Sequence, residues 1–145
     1  MSRFARSIRI DASAAPVWAV LMDVDTWPVW AAQFKRLERL DGAPLALGSR
    51  VRVTPNGMPG STWQVTEYVP ERSFTWQTSL LPGARLAGGH LLTRDGDGVI
   101  AEFSLEATGP LGRLLSPLLR RTVFSRNTRN ATEGLKRHVE AAARG

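Results

Sequence analysis

The sequence predicts an α+β domain with a seven-stranded antiparallel sheet, two short helices after the first strand and one long C-terminal helix. Three observations carry this. Between Phe34 and Thr108 the chain runs as short segments of alternating apolar and polar residues, separated by Gly, Pro, Asn and Asp turn signals. From Leu111 to Val139 apolar residues recur at spacings of three and four. The chain has 145 residues, and about 100–200 residues is the usual size of one domain. A single domain over 1–145 is expected.

The elements follow in order. Phe4, Ile8 and Ile10 alternate with Ala5, Ser7 and Arg9 in a first strand, with Arg6 falling on the apolar face. Asp11 or Ser13 can cap a short helix starting near Pro16, because a first-turn proline lacks only an N–H that would have no partner. That helix carries Val17, Trp18, Val20, Leu21 and Val24. Asp25-Thr26 can cap a second short turn holding Trp27, Pro28 and Trp30. Strands are expected at Phe34–Leu40, Gly48–Thr54, Trp63–Val69, Ser73–Leu80, Ala84–Thr93 and Val99–Thr108. Pro55-Asn56-Gly57, Pro82-Gly83 and the run Arg94-Asp95-Gly96-Asp97-Gly98 are the strongest turn signals. Gly109-Pro110 ends the sheet. The helix that follows spans roughly 30 residues, or about 45 Å, with a kink or restart expected at Pro117.

Composition removes several functions. With no cysteine, a disulfide scaffold, a thiolate zinc site, an iron–sulfur cluster and a cysteine nucleophile are excluded. No P-loop, GxGxxG or Gly-x-Ser-x-Gly pattern is present, and no cofactor is expected. A metal site is not expected either: the other histidine, His138, lies near the C-terminus, and no carboxylate cluster accompanies His90. Nineteen Lys and Arg against thirteen Asp and Glu give a net charge of +6. Arg113, Arg120, Arg121, Arg126, Arg129, Lys136 and Arg137 concentrate that charge on the last helix. A solvated face is the ordinary meaning, and docking on an anionic membrane is the alternative. No nucleic-acid partner is expected, for want of a recognised module or aromatic–basic interleaving. The N-terminus has no apolar signal core, and a cytoplasmic protein is expected.

The opening residues are distinctive: Ile8-Arg9-Ile10-Asp11-Ala12, Val17-Trp18-Ala19-Val20-Leu21-Met22-Asp23 and Trp27-Pro28-Val29-Trp30. With Gly48-Ser49-Arg50-Val51, Asp97-Gly98 and Gly109-Pro110-Leu111, they resemble the START/Bet v 1-like (SRPBCC) superfamily, close to its polyketide cyclase/dehydrase branch. The resemblance covers essentially the whole chain. It implies a helix-grip fold, a curved sheet wrapped around the long helix with a cavity between them.

Alternation then assigns the inward faces. Val99, Ala101, Phe103 and Leu105 face in, as do Leu86, Gly88, His90 and Leu92, and Phe74, Trp76 and Thr78. Trp63 and Val65 are placed inward with Glu67 near the mouth. From the helix, Leu115, Leu118, Leu119 and Val123 are expected inward, with Asn127 and Asn130 at one end. Gly88-Gly89 reads as a bulge or bend. The candidate ligand-binding set is Trp63, Trp76, Thr78, His90, Phe103, Leu105, Leu115, Leu119 and Val123. Trp18, Trp27 and Trp30 read as packing, and Asp23 and Asp25 as capping.

His90 is the candidate acid or base, and an inward imidazole can also donate to a ligand carbonyl. Arg6 and Tyr68 are the other groups available for acid–base work. Two functions follow: binding of a small hydrophobic ligand (a lipid, an aromatic or a polyketide-like metabolite), or a polyketide cyclase/dehydrase-like enzyme using the same cavity. Both are compatible with a monomer or a homodimer.

Overall fold

The computed structural model describes residues 3–42 and 44–144. The first strand, β1 (Arg3–Ile10), is followed by α1 (Ala14–Met22), a 3-10 turn (Val24–Thr26) and the short α2 (Trp27–Trp30). Six strands come next: β2 (Phe34–Arg39), β3 (Arg50–Pro55), β4 (Ser61–Val69), β5 (Ser73–Leu81), β6 (Ala84–Asp95) and β7 (Gly98–Thr108). The C-terminal helix comprises α3 (Pro110–Leu119), a π-turn (Arg120–Phe124) and α4 (Ser125–Arg144).

All neighbouring strands are antiparallel, in the order β1-β7-β6-β5-β4-β3-β2. The meander from β2 to β7 is therefore built of local hairpins, and β1 closes onto β7. The long helix lies on the concave face, with α4 against β1, β7 and the short helices. This is the helix-grip arrangement. Among the described residues, no helix is long and apolar enough to cross a membrane.

Caps and turns differ in detail from the sequence reading. Ser13 holds the N-cap position of α1, but its side chain makes no capping bond. Asp11 pairs with Arg9 instead. Asp25 pairs with Arg39 at 3.0 Å rather than capping. Gly109 supplies the turn into α3 with a φ of 84°, a conformation open to glycine at little cost.

No bulge falls at Gly88-Gly89, where both residues keep unbroken register with β5 and β7. Register shifts occur instead at Phe34/Arg36, at Ser79/Leu81 and, on β4, between Val65 and Glu67. The extra residue there reverses the alternation. Glu67, expected near the mouth, is exposed on the outer face beside Thr75, Glu102 and Glu106. Tyr68 turns inward and packs on Trp18, ring centres 6.0 Å apart.

The helix also corrects the expected stripe. Pro117 lies inside α3 without ending it, and the backbone loosens into the π-turn three residues later. The buried residues of α3 are Gly112 and Ser116, not leucines. A Cβ at Gly112 would lie 3.3 Å from the Ala107 carbonyl carbon. The helix thus approaches the sheet too closely for a large side chain. Leu118, expected inward, is 64% exposed, and Leu114 is 75% exposed. Leu115, Leu119 and Val123 are half-buried. The core face resumes at Phe124, the last residue of the π-turn, and continues with Ala131, Leu135 and Val139.

Candidate functional site

A cavity of about 90 Å³ lies between the sheet and the long helix. The short helices and their exit contribute Trp27, Gln33 and Phe34 to its wall. The sheet contributes Val53, Trp63, Trp76, Gly88, His90, Phe103, Ser104 and Leu105, and α4 contributes Asn127, Thr128 and Ala131.

The wall is an aromatic chain. Trp63 meets Trp76 at 5.7 Å between ring centres, Trp76 meets Trp27 at 5.2 Å, and Trp27 meets Phe34 at 5.6 Å. Trp27 is fixed by its indole N–H, which donates to the Leu21 carbonyl at 3.1 Å. Gly88 sits directly across from Trp76 in the β5–β6 register. A Cβ there would lie 3.0 Å from Trp76 Nε1, so the missing side chain is what seats the indole.

His90 is 6% exposed and enclosed by rings. Its imidazole stacks on Phe74 at 4.1 Å and meets Phe103, Trp27 and Trp76 at their edges or at a tilt. Nδ1 lies 3.2 Å from the Phe74 carbonyl oxygen. A carbonyl only accepts, so Nδ1 carries the proton and Nε2 keeps its lone pair. Desolvation pushes the pKa of His90 down to about 4, partly opposed by the bond to Phe74. At neutral pH the group is therefore uncharged and its free nitrogen is an acceptor. The sequence-based expectation of donation to a ligand carbonyl is thereby corrected.

One buried polar atom of a wall residue has no partner. Gln33 Nε2 donates to the Asn127 carbonyl at 3.2 Å, which fixes the amide orientation. Gln33 Oε1 is buried and has no partner. By contrast Thr128 is fully engaged, donating to the Phe124 carbonyl at 2.8 Å and accepting from Arg6 Nε at 3.3 Å.

Of the candidate ligand-binding residues, Trp63, Trp76, His90, Phe103 and Leu105 line the cavity together. Thr78 is buried but outside this wall, its hydroxyl donating to the Thr62 carbonyl at 2.8 Å. Leu115, Leu119 and Val123 also lie outside it, because the close approach of α3 at Gly112 leaves the cavity to α4. Asn127 lines the wall and Asn130 does not. Of the other acid–base candidates, Arg6 reaches Thr128 and Ser125, while Tyr68 packs in the core. Sequence reasoning missed Trp27, Gln33 and Phe34. Trp27 was legible as an aromatic but not as a cavity wall, and a single glutamine in a connecting turn carried no signal.

Part of the basic charge on the long helix is structural. Arg120 donates to the Arg3 carbonyl at 2.9 Å and lies over the Phe4 ring, and Lys136 donates to the Arg9 carbonyl at 2.8 Å.

A curved sheet gripping a helix over an aromatic, histidine-containing cavity defines a helix-grip domain. The chain belongs to the polyketide cyclase/dehydrase and lipid transport family, whose model matches residues 1–140. No curated protein matches the sequence. Among solved structures it is similar to the di-domain aromatase/cyclase StfQ of the steffimycin biosynthetic pathway, at 17% identity and a TM-score of 0.78. That match covers 99% of this chain and 52% of StfQ, so the chain spans about half the length of that relative. The ZhuI aromatase/cyclase from a Streptomyces species matches at 17% identity and a TM-score of 0.76, over 99% of this chain and 96% of that one. A START superfamily protein from Mycobacterium smegmatis matches at 15% identity and a TM-score of 0.70, over 97% and 98%. At these identities the likeness establishes the fold.

Proposed function

We propose that the protein binds a small hydrophobic ligand in the cavity between sheet and helix. The observation that carries this reading is an aromatic cavity whose buried histidine is held neutral with one nitrogen unused. Ligand sites are mostly apolar, with a few placed polar groups. At about 90 Å³ the resting cavity is smaller than the ~150 Å³ apolar cavity that holds benzene. It is matched to one ring after a small outward movement of the walls. A lipid chain or a fused-ring metabolite requires Trp63 or Trp76 to swing out.

The alternative is a cyclase or dehydratase using the same cavity, supported by the family description. It would employ His90 as acid or base. A pKa of about 4 weakens both roles, since an effective catalytic group titrates near the working pH. Binding is the better-supported reading.

Native mass spectrometry of the purified protein, followed by denaturing extraction, tests it. A reproducible small hydrophobic adduct, or saturable uptake of added single-ring compounds, is the expected result. A clean mass together with no uptake of any such compound overturns the reading. Turnover of a carbonyl substrate that is lost in His90→Ala, with binding retained, moves the assignment to the enzyme.

A further inference from the structure

Resting on that reading, we infer that the cavity selects a hydrogen-bond donor, so that its ligand is a hydroxylated single-ring aromatic of the phenol type. Besides Ser104, Asn127 and the engaged Thr128, the wall carries two polar groups, Gln33 and His90, that present acceptors. Gln33 Oε1 is buried without a partner, and the amide cannot be turned to hide it because Nε2 is held by the Asn127 carbonyl. His90 Nε2 is an acceptor because Nδ1–H is committed to the Phe74 carbonyl. Both residues line the same cavity.

Two acceptors on one wall, the Gln33 oxygen among them buried and without a partner, call for a donor. A phenol hydroxyl supplies one, and its ring meets the faces and edges of Trp27, Trp63 and Trp76. An ether or an aldehyde presents only lone pairs to these two atoms and leaves them unpaired in an apolar environment, which is costly. The same consideration disfavours a ligand that turns only ketone carbonyls toward Gln33 and His90. The small volume sets the size of the ligand, and the two acceptors set its polarity.

The test compares phenol, toluene, anisole and benzaldehyde on the full ¹⁵N-labelled chain, following the indole N–H resonances of Trp27, Trp63 and Trp76. Phenol is expected to bind about tenfold tighter than toluene or anisole, as one added hydrogen bond to a buried acceptor implies. Benzaldehyde is expected to bind no better than toluene. In Gln33→Leu or His90→Phe the phenol advantage falls to near unity, according to which acceptor the hydroxyl uses. In the double variant it vanishes while toluene still binds. If His90→Phe does not fold, Gln33→Leu and Gln33→Glu carry the comparison, because only the first removes the acceptor. Equal binding of phenol and toluene overturns the donor rule and leaves the cavity reading intact. A phenol advantage that survives every acceptor-removing variant also overturns it. Absence of binding by all four compounds overturns the cavity reading and this inference together.

Discussion

The imidazole of His90 lies face to face with the ring of Phe74, centres 4.1 Å apart and planes 13° from parallel. Its Nδ1–H donates to the main-chain carbonyl of that same phenylalanine. The pair is adjacent in the β5–β6 register, so the sheet itself fixes the tautomer. One strand neighbour thus decides which nitrogen of His90 is free and what it can do.

The folded pKa of His90 is lowered from 6.5 to about 4, so between those values the unfolded chain binds a proton that the folded chain refuses. The stability tied to neutral His90 is complete above the unfolded pKa and falls as pH drops through this window. From pH 7 to pH 5 the loss is about 2 kcal/mol. Urea denaturation at both pH values, on wild type and His90→Asn, isolates it from the carboxylates. A wild-type loss no larger than the variant's contradicts a buried neutral histidine.

Trp27 holds the aromatic chain together. It is 1% exposed and touches Trp30, Phe34, Phe74, Trp76 and His90. Trp27→Phe removes ring volume and leaves the Leu21 carbonyl without its donor. The expected cost is about 2 kcal/mol, read by chemical denaturation. A near-neutral effect would mean that the indole–carbonyl bond and the ring contacts are not both formed.

Gly134→Ala tests the approach of α4 to α2. A Cβ there would fall on the Trp30 carbonyl oxygen, well inside contact distance. Alanine gains about 1 kcal/mol of helix propensity over glycine, yet the clash is with backbone and cannot be relieved by a rotamer. The net expectation is a loss of about 3 kcal/mol or more, seen as a lowered denaturation midpoint. Wild-type stability in this variant would show that the two helices lie farther apart.

Gly88→Ala acts on the cavity rather than on the fold. The strand gains about 0.5–1 kcal/mol from losing glycine, while the new methyl group presses on the Trp76 indole. Stability should change little, Trp76 fluorescence should shift, and affinity for a single-ring compound should fall by about tenfold. Unchanged emission and affinity would place Trp76 elsewhere.

The order of elements was legible because alternation and turn residues agree along the chain, as the Gly96 hairpin between β6 and β7 illustrates. The inward faces of β5, β6 and β7 were also legible, and they bring Trp76, His90 and Phe103 together. Failures arose where one extra residue or one close approach intervened. The bulge after Val65 exchanges Glu67 for Tyr68, and no composition signal marks it. The leucines of α3 look like a core stripe, but packing at Gly112 excludes them. Gln33 is invisible by pattern, because its importance lies in an unpaired oxygen that only the turn geometry creates.

The π-turn at Arg120–Phe124 divides one continuous helix into two stretches under unequal packing constraint. Beyond it, α4 carries Gly134, Thr128 and Ala131, each held in place by backbone or cavity contacts. Before it, the buried residues of α3 are Gly112 and Ser116, while Arg113, Leu114, Pro117 and Leu118 face outward. Substitutions at the exposed positions of α3 are therefore expected to disturb the interior less than substitutions at the buried positions of α4.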